Sequence, residues 1–145
     1  MIAKIEPAFS SMSTLSRKID YQLEKISSAE AKELLNSTGA SLSSFSDYMF
    51  LFSSLNDRVK LPYSEITLNL SPGERLSEAN WINLSKEYME KMGYGNCCYS
   101  IILNKDKEHS HVHILHSRID SEGKSVSNSL AVSYTHLTLP TILRV

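Results

Sequence analysis

Four of the five histidines lie within eight positions of one another: His109, His111, His113 and His116. In a β-strand, side chains two positions apart project from the same face, about 6.6 Å from each other. His111 and His113 can therefore present two imidazoles to one metal ion, and His109 joins them if the strand extends that far. Neutral imidazole is the commonest metal ligand among protein side chains. The spacing favours a metal site over a set of surface histidines without a ligand.

The two cysteines, Cys97 and Cys98, are adjacent. Neighbouring cysteines seldom pair with each other. The simplest interpretation is that both are reduced thiols in a cytoplasmic protein, buried as small apolar side chains rather than used as metal ligands.

The composition is that of a globular chain with 145 residues, which is enough for one domain. Hydrophobic residues make up 41% and charged residues 21%, which excludes a wholly disordered, collagen-like or membrane-embedded protein. Fifteen basic and 16 acidic residues give a net charge of -1, so DNA binding would depend on a local site. No segment reaches the roughly 18 apolar residues of a membrane span, and the N-terminus does not read as a signal peptide.

The first half of the chain predicts three elements that could position these residues. Weak alternation over 1–6 predicts a short strand, and the Ser- and Thr-rich segment 8–18 predicts a loop. Apolar residues at helical spacing over 17–35 predict a helix that ends at 36–39, and the aromatic-rich segment 41–55 predicts a second one.

The second half predicts the sheet that carries the histidines. Alternation over 63–70 predicts a half-buried strand. Ser77 is the expected N-cap of a helix that runs to Met92 and is ended by Gly93. Segments 99–103 and 111–119 predict two strands close enough to pair antiparallel. The predicted order is β, α, α, β, α, β, β, which indicates an α+β fold with an antiparallel sheet flanked by helices.

The last 14 residues do not resemble the sequence of a natural protein. Residues 132–141 read Val-Ser-Tyr-Thr-His-Leu-Thr-Leu-Pro-Thr, which matches residue for residue the translation of a transposon-end adapter used in sequencing libraries. We therefore assign 1–131 to a native domain that we expect to be incomplete, and 132–145 to an artefactual adapter-encoded tail. Tyr134 and His136 receive no functional role.

Four segments of the chain form a distinctive combination. They read Leu-Asn-Leu-Ser-Pro at 68–72, Glu-Tyr-Met-Glu-Lys-Met-Gly-Tyr-Gly at 87–95, the histidine strand at 109–114, and Arg-Ile-Asp-Ser-Glu-Gly-Lys at 118–124. Together with the opening Met-Ile-Ala-Lys-Ile, they resemble the relaxases, the mobilisation nucleases of plasmids and integrative elements, of the type found in Bacteroidetes. The resemblance covers about residues 1–130 and implies that 1–131 is the N-terminal portion of a relaxase catalytic domain.

The resemblance implies a reaction. A relaxase cuts one DNA strand at a transfer origin by attack of a tyrosine hydroxyl, which leaves a 5′-phosphotyrosine and a free 3′-hydroxyl, and the reverse reaction rejoins the strand. The family's Tyr-x-x-x-Lys setting places the nucleophile at Tyr21. Lys25 of that setting and Arg118 are candidate DNA contacts, from a wider set of basic residues that includes Arg17 and Lys18. The implied partners are single-stranded DNA at a transfer origin, accessory mobilisation proteins and a coupling protein.

The chain departs from the family at one metal ligand. The family's third histidine stands seven positions before the first histidine of the pair, where this chain has Asn104. An amide oxygen binds a hard cation but is a weaker ligand than imidazole for Zn²⁺. We therefore expect Mg²⁺ or Mn²⁺ on His111, His113 and Asn104. The alternatives are a metal that is bound loosely, one held partly by His109 or Asp106, and no metal at all. Asp106 would orient a ligand histidine as a hydrogen-bond acceptor.

Three other interpretations stay open. A rolling-circle replication initiator shares the histidine strand, but its nucleophile follows that strand, where the only later tyrosine is Tyr134. A catalytically decayed relaxase that binds DNA without cutting it would explain Asn104. A metal-storage protein, which would bind metal tightly and ignore DNA, is the weakest alternative.

Overall fold

The structure is a computed structural model that describes residues 1–71, 73–105 and 109–126. Within them the chain forms an α+β arrangement, which confirms the predicted fold class. A 3-10 turn (Leu42–Ser44) precedes the second helix. The helices and strands are β1 (Ile2–Ile5), α1 (Met12–Ser27), β2 (Ala31–Asn36), α2 (Phe45–Ser53), β3 (Tyr63–Asn69), α3 (Glu78–Lys91), β4 (Cys97–Lys105) and β5 (Ser110–Asp120).

The five strands form one antiparallel sheet in the order β1-β3-β5-β4-β2. β5, which carries the histidine pair, is the central strand and pairs with β3 on one side and β4 on the other. The predicted antiparallel pairing of the last two strands is confirmed. Both neighbours of β5 therefore contribute side chains to the surroundings of the histidines.

Helices cover both faces of the sheet. On one face, Trp81, Tyr88 and Met89 of α3 pack against apolar residues of the central strands. On the other face, α1 and α2 form a second core with the sheet, built around Leu15, Ile19, Phe45, Met49, Ile102 and Leu115. Because both faces are covered, β3 is buried along nearly its whole length, and the prediction that it is half-buried is wrong.

The predicted first helix is wrong at both ends. α1 begins five residues earlier than predicted, because the side chain of Ser11 accepts a hydrogen bond from the backbone N–H of Thr14 and caps it. It ends at Ser27, and Ala29 then adopts a left-handed φ of 62°, which turns the chain into β2. The last part of the predicted helix, with its apolar residues at helical spacing, is instead strand β2, which pairs with β4.

The remaining local predictions are largely confirmed. Ser77 caps α3 by accepting from the backbone N–H of Asn80, and Gly93 follows that helix with a φ of 85°. Cys97 and Cys98 are free and buried, and burial raises the pKa of both thiols to about 12, so they are not reactive thiolates at neutral pH. No helix in the described part of the chain is both long and apolar enough to cross a membrane.

Candidate functional site

The sheet presents the two histidines on the face that α1 covers. His111 lies opposite Asn104 of β4 and Asn69 of β3, and His113 lies opposite Thr67 of β3. Directly opposed residues project from the same face, so these side chains form two adjacent rows. The centroids of the two imidazole rings are 5.0 Å apart, with the ring planes 74° apart. The structure therefore brings together the residues at 104, 111 and 113 that were predicted to share a site.

A pocket of about 400 Å³ opens between α1 and the sheet. Tyr21 reaches it from the helix and is 55% exposed, while His113 reaches it from β5. The helix residues that line it recur at spacings of three and four, which places them on one face of α1. The full lining consists of Thr14, Arg17, Lys18, Tyr21, Gln22, Glu65 and His113. The predicted nucleophile and one predicted metal ligand thus line the same cavity.

Glu65 holds the His113 ring in place. Its Oε2 atom lies 3.1 Å from Nδ1 of His113, its Oε1 atom accepts from Nζ of Lys18 at 2.8 Å, and Oγ1 of Thr67 lies 3.3 Å from the same Nδ1. Burial raises the pKa of Glu65, but the bonds from His113 and Lys18 outweigh burial and leave that pKa below its usual value. An ionised carboxylate only accepts hydrogen bonds, so Nδ1 of His113 donates to Glu65, and Nε2 is the ring nitrogen that faces other partners.

Lys25 connects Tyr21 to Asn104. Its Nζ atom lies 5.1 Å from the centroid of the Tyr21 ring and donates to Oδ1 of Asn104 at 3.1 Å. The Asn104 side chain is fully buried, and its Nδ2 atom donates to Oε1 of Gln22 at 3.0 Å. Both polar ends of the amide are therefore held by side chains of α1.

These residues do not fit the expected Mg²⁺ or Mn²⁺ site. Hard cations prefer oxygen ligands, whereas two of the three expected ligands, His111 and His113, are imidazoles. The oxygen among the three, Oδ1 of Asn104, accepts from the Lys25 ammonium, whose charge repels a second cation. Within the described ranges, no three His, Cys, Asp or Glu side chains come together as metal ligands. The cofactor expectation stays a prediction, and the local contacts argue against it.

Other predicted site residues lie away from the pocket or beyond the described residues. His109 is exposed and precedes β5, so the strand does not extend far enough to include it. Arg118 lies toward the other end of β5, where its Nη1 atom donates to the backbone carbonyl of Leu61 at 2.9 Å. Asp106 and the tail at 132–145 lie outside the described residues.

Sequence reasoning missed Glu65 and Gln22, and it gave Lys18 only as one of several candidate phosphate contacts. Polar positions of an alternating strand normally face solvent, but α1 covers this face of β3, so Glu65 is buried instead. Two signals were present: Glu65 and Thr67 alternate in phase on one strand, and Lys18 and Gln22 lie within one helical turn of Tyr21. Spacing along the chain could not show that β3 pairs with the histidine strand.

The chain matches the sequence model of a known protein family. The sequence model of the family described as relaxase, MobA/VirD2-like, nuclease domain matches residues 21–138. The matched range begins at Tyr21 and includes every described element from β2 to β5. No curated protein and no solved structure matches the chain.

Proposed function

The chain belongs to the MobA/VirD2-like relaxase nuclease family, and on this premise we propose that it nicks one DNA strand through attack by Tyr21. The observation that supports this assignment is the shared pocket, in which Tyr21 lies with His113 and the cationic side chains of Arg17 and Lys18. A nicking site needs a nucleophile, a proton acceptor and positive charge for the phosphate. The lining of this pocket supplies all three.

In the proposed reaction, Oη of Tyr21 forms a bond to the scissile phosphorus while the bond from phosphorus to the 3′ oxygen breaks. The 5′ phosphate stays on the tyrosine as a phosphodiester, and the 3′ oxygen leaves and takes up a proton. Because the phosphotyrosine keeps the energy of the broken bond, attack by the 3′-hydroxyl in the reverse direction rejoins the strand.

We propose that His113 accepts the proton that Tyr21 loses. Its Nδ1 atom is engaged by Glu65, which leaves the Nε2 lone pair as the basic atom of the ring. Glu65 is also placed to stabilise the imidazolium that this proton transfer creates, as a carboxylate does for a catalytic histidine. Arg17 lines the same pocket and can bind a phosphate oxygen.

We further propose that the DNA is a transfer origin of a mobile element, presented as a single strand. The pocket suits a single strand because an exposed phenol must reach one phosphodiester in line with its leaving oxygen. The accessory mobilisation proteins and the coupling protein implied by the resemblance stay predictions.

The proposal is tested by trapping the covalent intermediate on a single-stranded DNA library with a randomised centre. In the wild-type chain, a label at the DNA 3′ end should move with the protein on a denaturing gel, because the 5′ phosphate of that fragment is bonded to tyrosine. Tyr21→Phe should abolish the labelled band, since it removes the attacking oxygen. Tyr48→Phe is the matched control, because Tyr48 is also exposed, at 38%, but lies on α2 outside the pocket.

Each alternative gives a different result in this assay. A labelled band that persists in Tyr21→Phe would contradict the assignment and favour a rolling-circle initiator with another nucleophile. A wild-type chain that binds the library without forming a labelled band would favour a decayed relaxase that only binds DNA.

A further inference from the structure

We infer that the ammonium group of Lys25 takes the place of the metal ion in this chain, so that the scissile phosphate is held by lysine and no divalent cation is needed. This inference rests on the proposed nicking at Tyr21 and identifies the cation that holds the scissile phosphate in that reaction. It departs from the Mg²⁺ or Mn²⁺ site that the sequence led us to expect.

Both polar atoms of the Asn104 amide are hydrogen-bonded to residues of α1. This side chain is fully buried, so its oxygen requires a donor, and Nζ of Lys25 supplies one at 3.1 Å. Its nitrogen is directed to Gln22, which fixes the orientation of the oxygen toward the lysine. A histidine at this position would offer a lone pair to a metal ion, whereas the asparagine here offers its oxygen to an ammonium group.

The ammonium group of Lys25 lies close to Tyr21. Lys25 reaches from the face of the Tyr21 ring to Asn104, which lies directly opposite His111 in the sheet. The ammonium therefore lies between the proposed nucleophile and the histidine strand. A cation that serves the attacked phosphate must lie near both of them.

Among the described residues, the ammonium group of Lys25 forms no ion pair with a carboxylate. Glu65 already accepts from Lys18 and contacts His113. Among the residues that the structure describes, Lys25 contacts an aromatic ring and a neutral amide instead of an acidic partner. Lysine has three donor hydrogens, so the bond to Asn104 leaves donors for a phosphate oxygen.

Manganese binding tests the inference without requiring DNA cleavage. Mn²⁺ is titrated by calorimetry into the wild-type chain, Lys25→Met, and the double variant Lys25→Met/Asn104→His. We expect the wild type to bind Mn²⁺ at least about tenfold more weakly than Lys25→Met, and the double variant to bind most tightly, because a positive charge is removed and then an imidazole is added. Circular dichroism establishes that each variant is folded.

DNA binding in EDTA supplies the second measurement. The affinity for the single-stranded library should fall about tenfold in Lys25→Met, as for one lost charge-assisted contact, and should be restored by Lys25→Arg. Lys32→Met is the matched control, because Lys32 pairs with Glu78 away from the pocket and should leave the affinity unchanged.

Two results would overturn the inference. One is a wild-type chain that binds Mn²⁺ as tightly as Lys25→Met. The other is DNA binding in EDTA that Lys25→Met leaves intact. Either result would leave Tyr21 as the nucleophile, because the covalent intermediate is detected separately. If the wild-type chain shows the expected Mn²⁺ and DNA binding but forms no covalent intermediate, the nicking reaction itself would be contradicted.

Discussion

At the residue scale, His116 differs from the two histidines that precede it on β5. It points to the opposite face, where it is almost completely buried against Tyr94, with ring centroids 4.3 Å apart. Its Nδ1 atom donates to the backbone carbonyl of Ser117 at 2.8 Å. Burial lowers the pKa of His116 to about 4, so the ring is neutral in the folded protein at neutral pH.

His116 should make the folded protein sensitive to mild acid. Between its usual pKa of 6.5 and the folded value of about 4, the unfolded chain binds a proton that the folded chain does not. The free energy of unfolding should therefore fall as the pH falls through this range, by about 2 kcal/mol between pH 7 and pH 5. Urea unfolding at the two pH values measures the change.

His116→Gln should remove most of this pH dependence, because glutamine does not titrate. His109→Gln is the matched control, since His109 is exposed and should leave the dependence as in the wild type. An unchanged pH dependence in His116→Gln would show that another group is responsible.

At the element scale, a side-chain cap stabilises the N-terminus of α1, the helix that carries Tyr21. Ser11 caps this helix through the backbone N–H of Thr14, which itself lines the pocket. Ser11→Ala should lower the free energy of unfolding by about 1 kcal/mol. Ser11→Asp should retain most of the stabilisation by the cap, because aspartate also caps helices. Ser10→Ala, one residue earlier and exposed, should have little effect. A Ser11→Ala protein as stable as the wild type in urea would contradict the role of the cap.

The same elements show what the sequence can and cannot predict. The boundaries of α3 follow from Ser77 and Gly93, and the pair β4 and β5 follows from two nearby apolar segments, because both signals are local. β2 was missed because a strand at the edge of the sheet is specified by its pairing with a distant strand, β4, which overrides helical spacing. Glu65 was missed for the same reason, since its burial depends on which helix covers β3.

At the scale of the whole molecule, the candidate site belongs to no single element. α1 supplies Tyr21 and Lys25, β3 supplies Glu65, and the last two strands supply Asn104 and the histidine pair. Their side chains meet where the helix docks on the sheet through Leu15, Ile19, Ile102 and Leu115. Loss of this packing would separate the nucleophile from His113 without changing either residue.

The net charge of -1 leaves the molecule without a general attraction for DNA, so its binding should depend on a few local cations. Arg17 and Lys25 lie in or beside the pocket, whereas Lys18 is paired with Glu65. Two phosphate contacts on a single strand predict a slope of about -1.4 for log K against log salt. Fluorescence anisotropy with the labelled library at several salt concentrations measures this slope. Arg17→Ala should make it shallower by about 0.7. Lys91→Ala should not change it, because Lys91 pairs with Glu87 on α3, across the sheet. A much steeper slope would show that DNA contacts a surface well beyond the pocket.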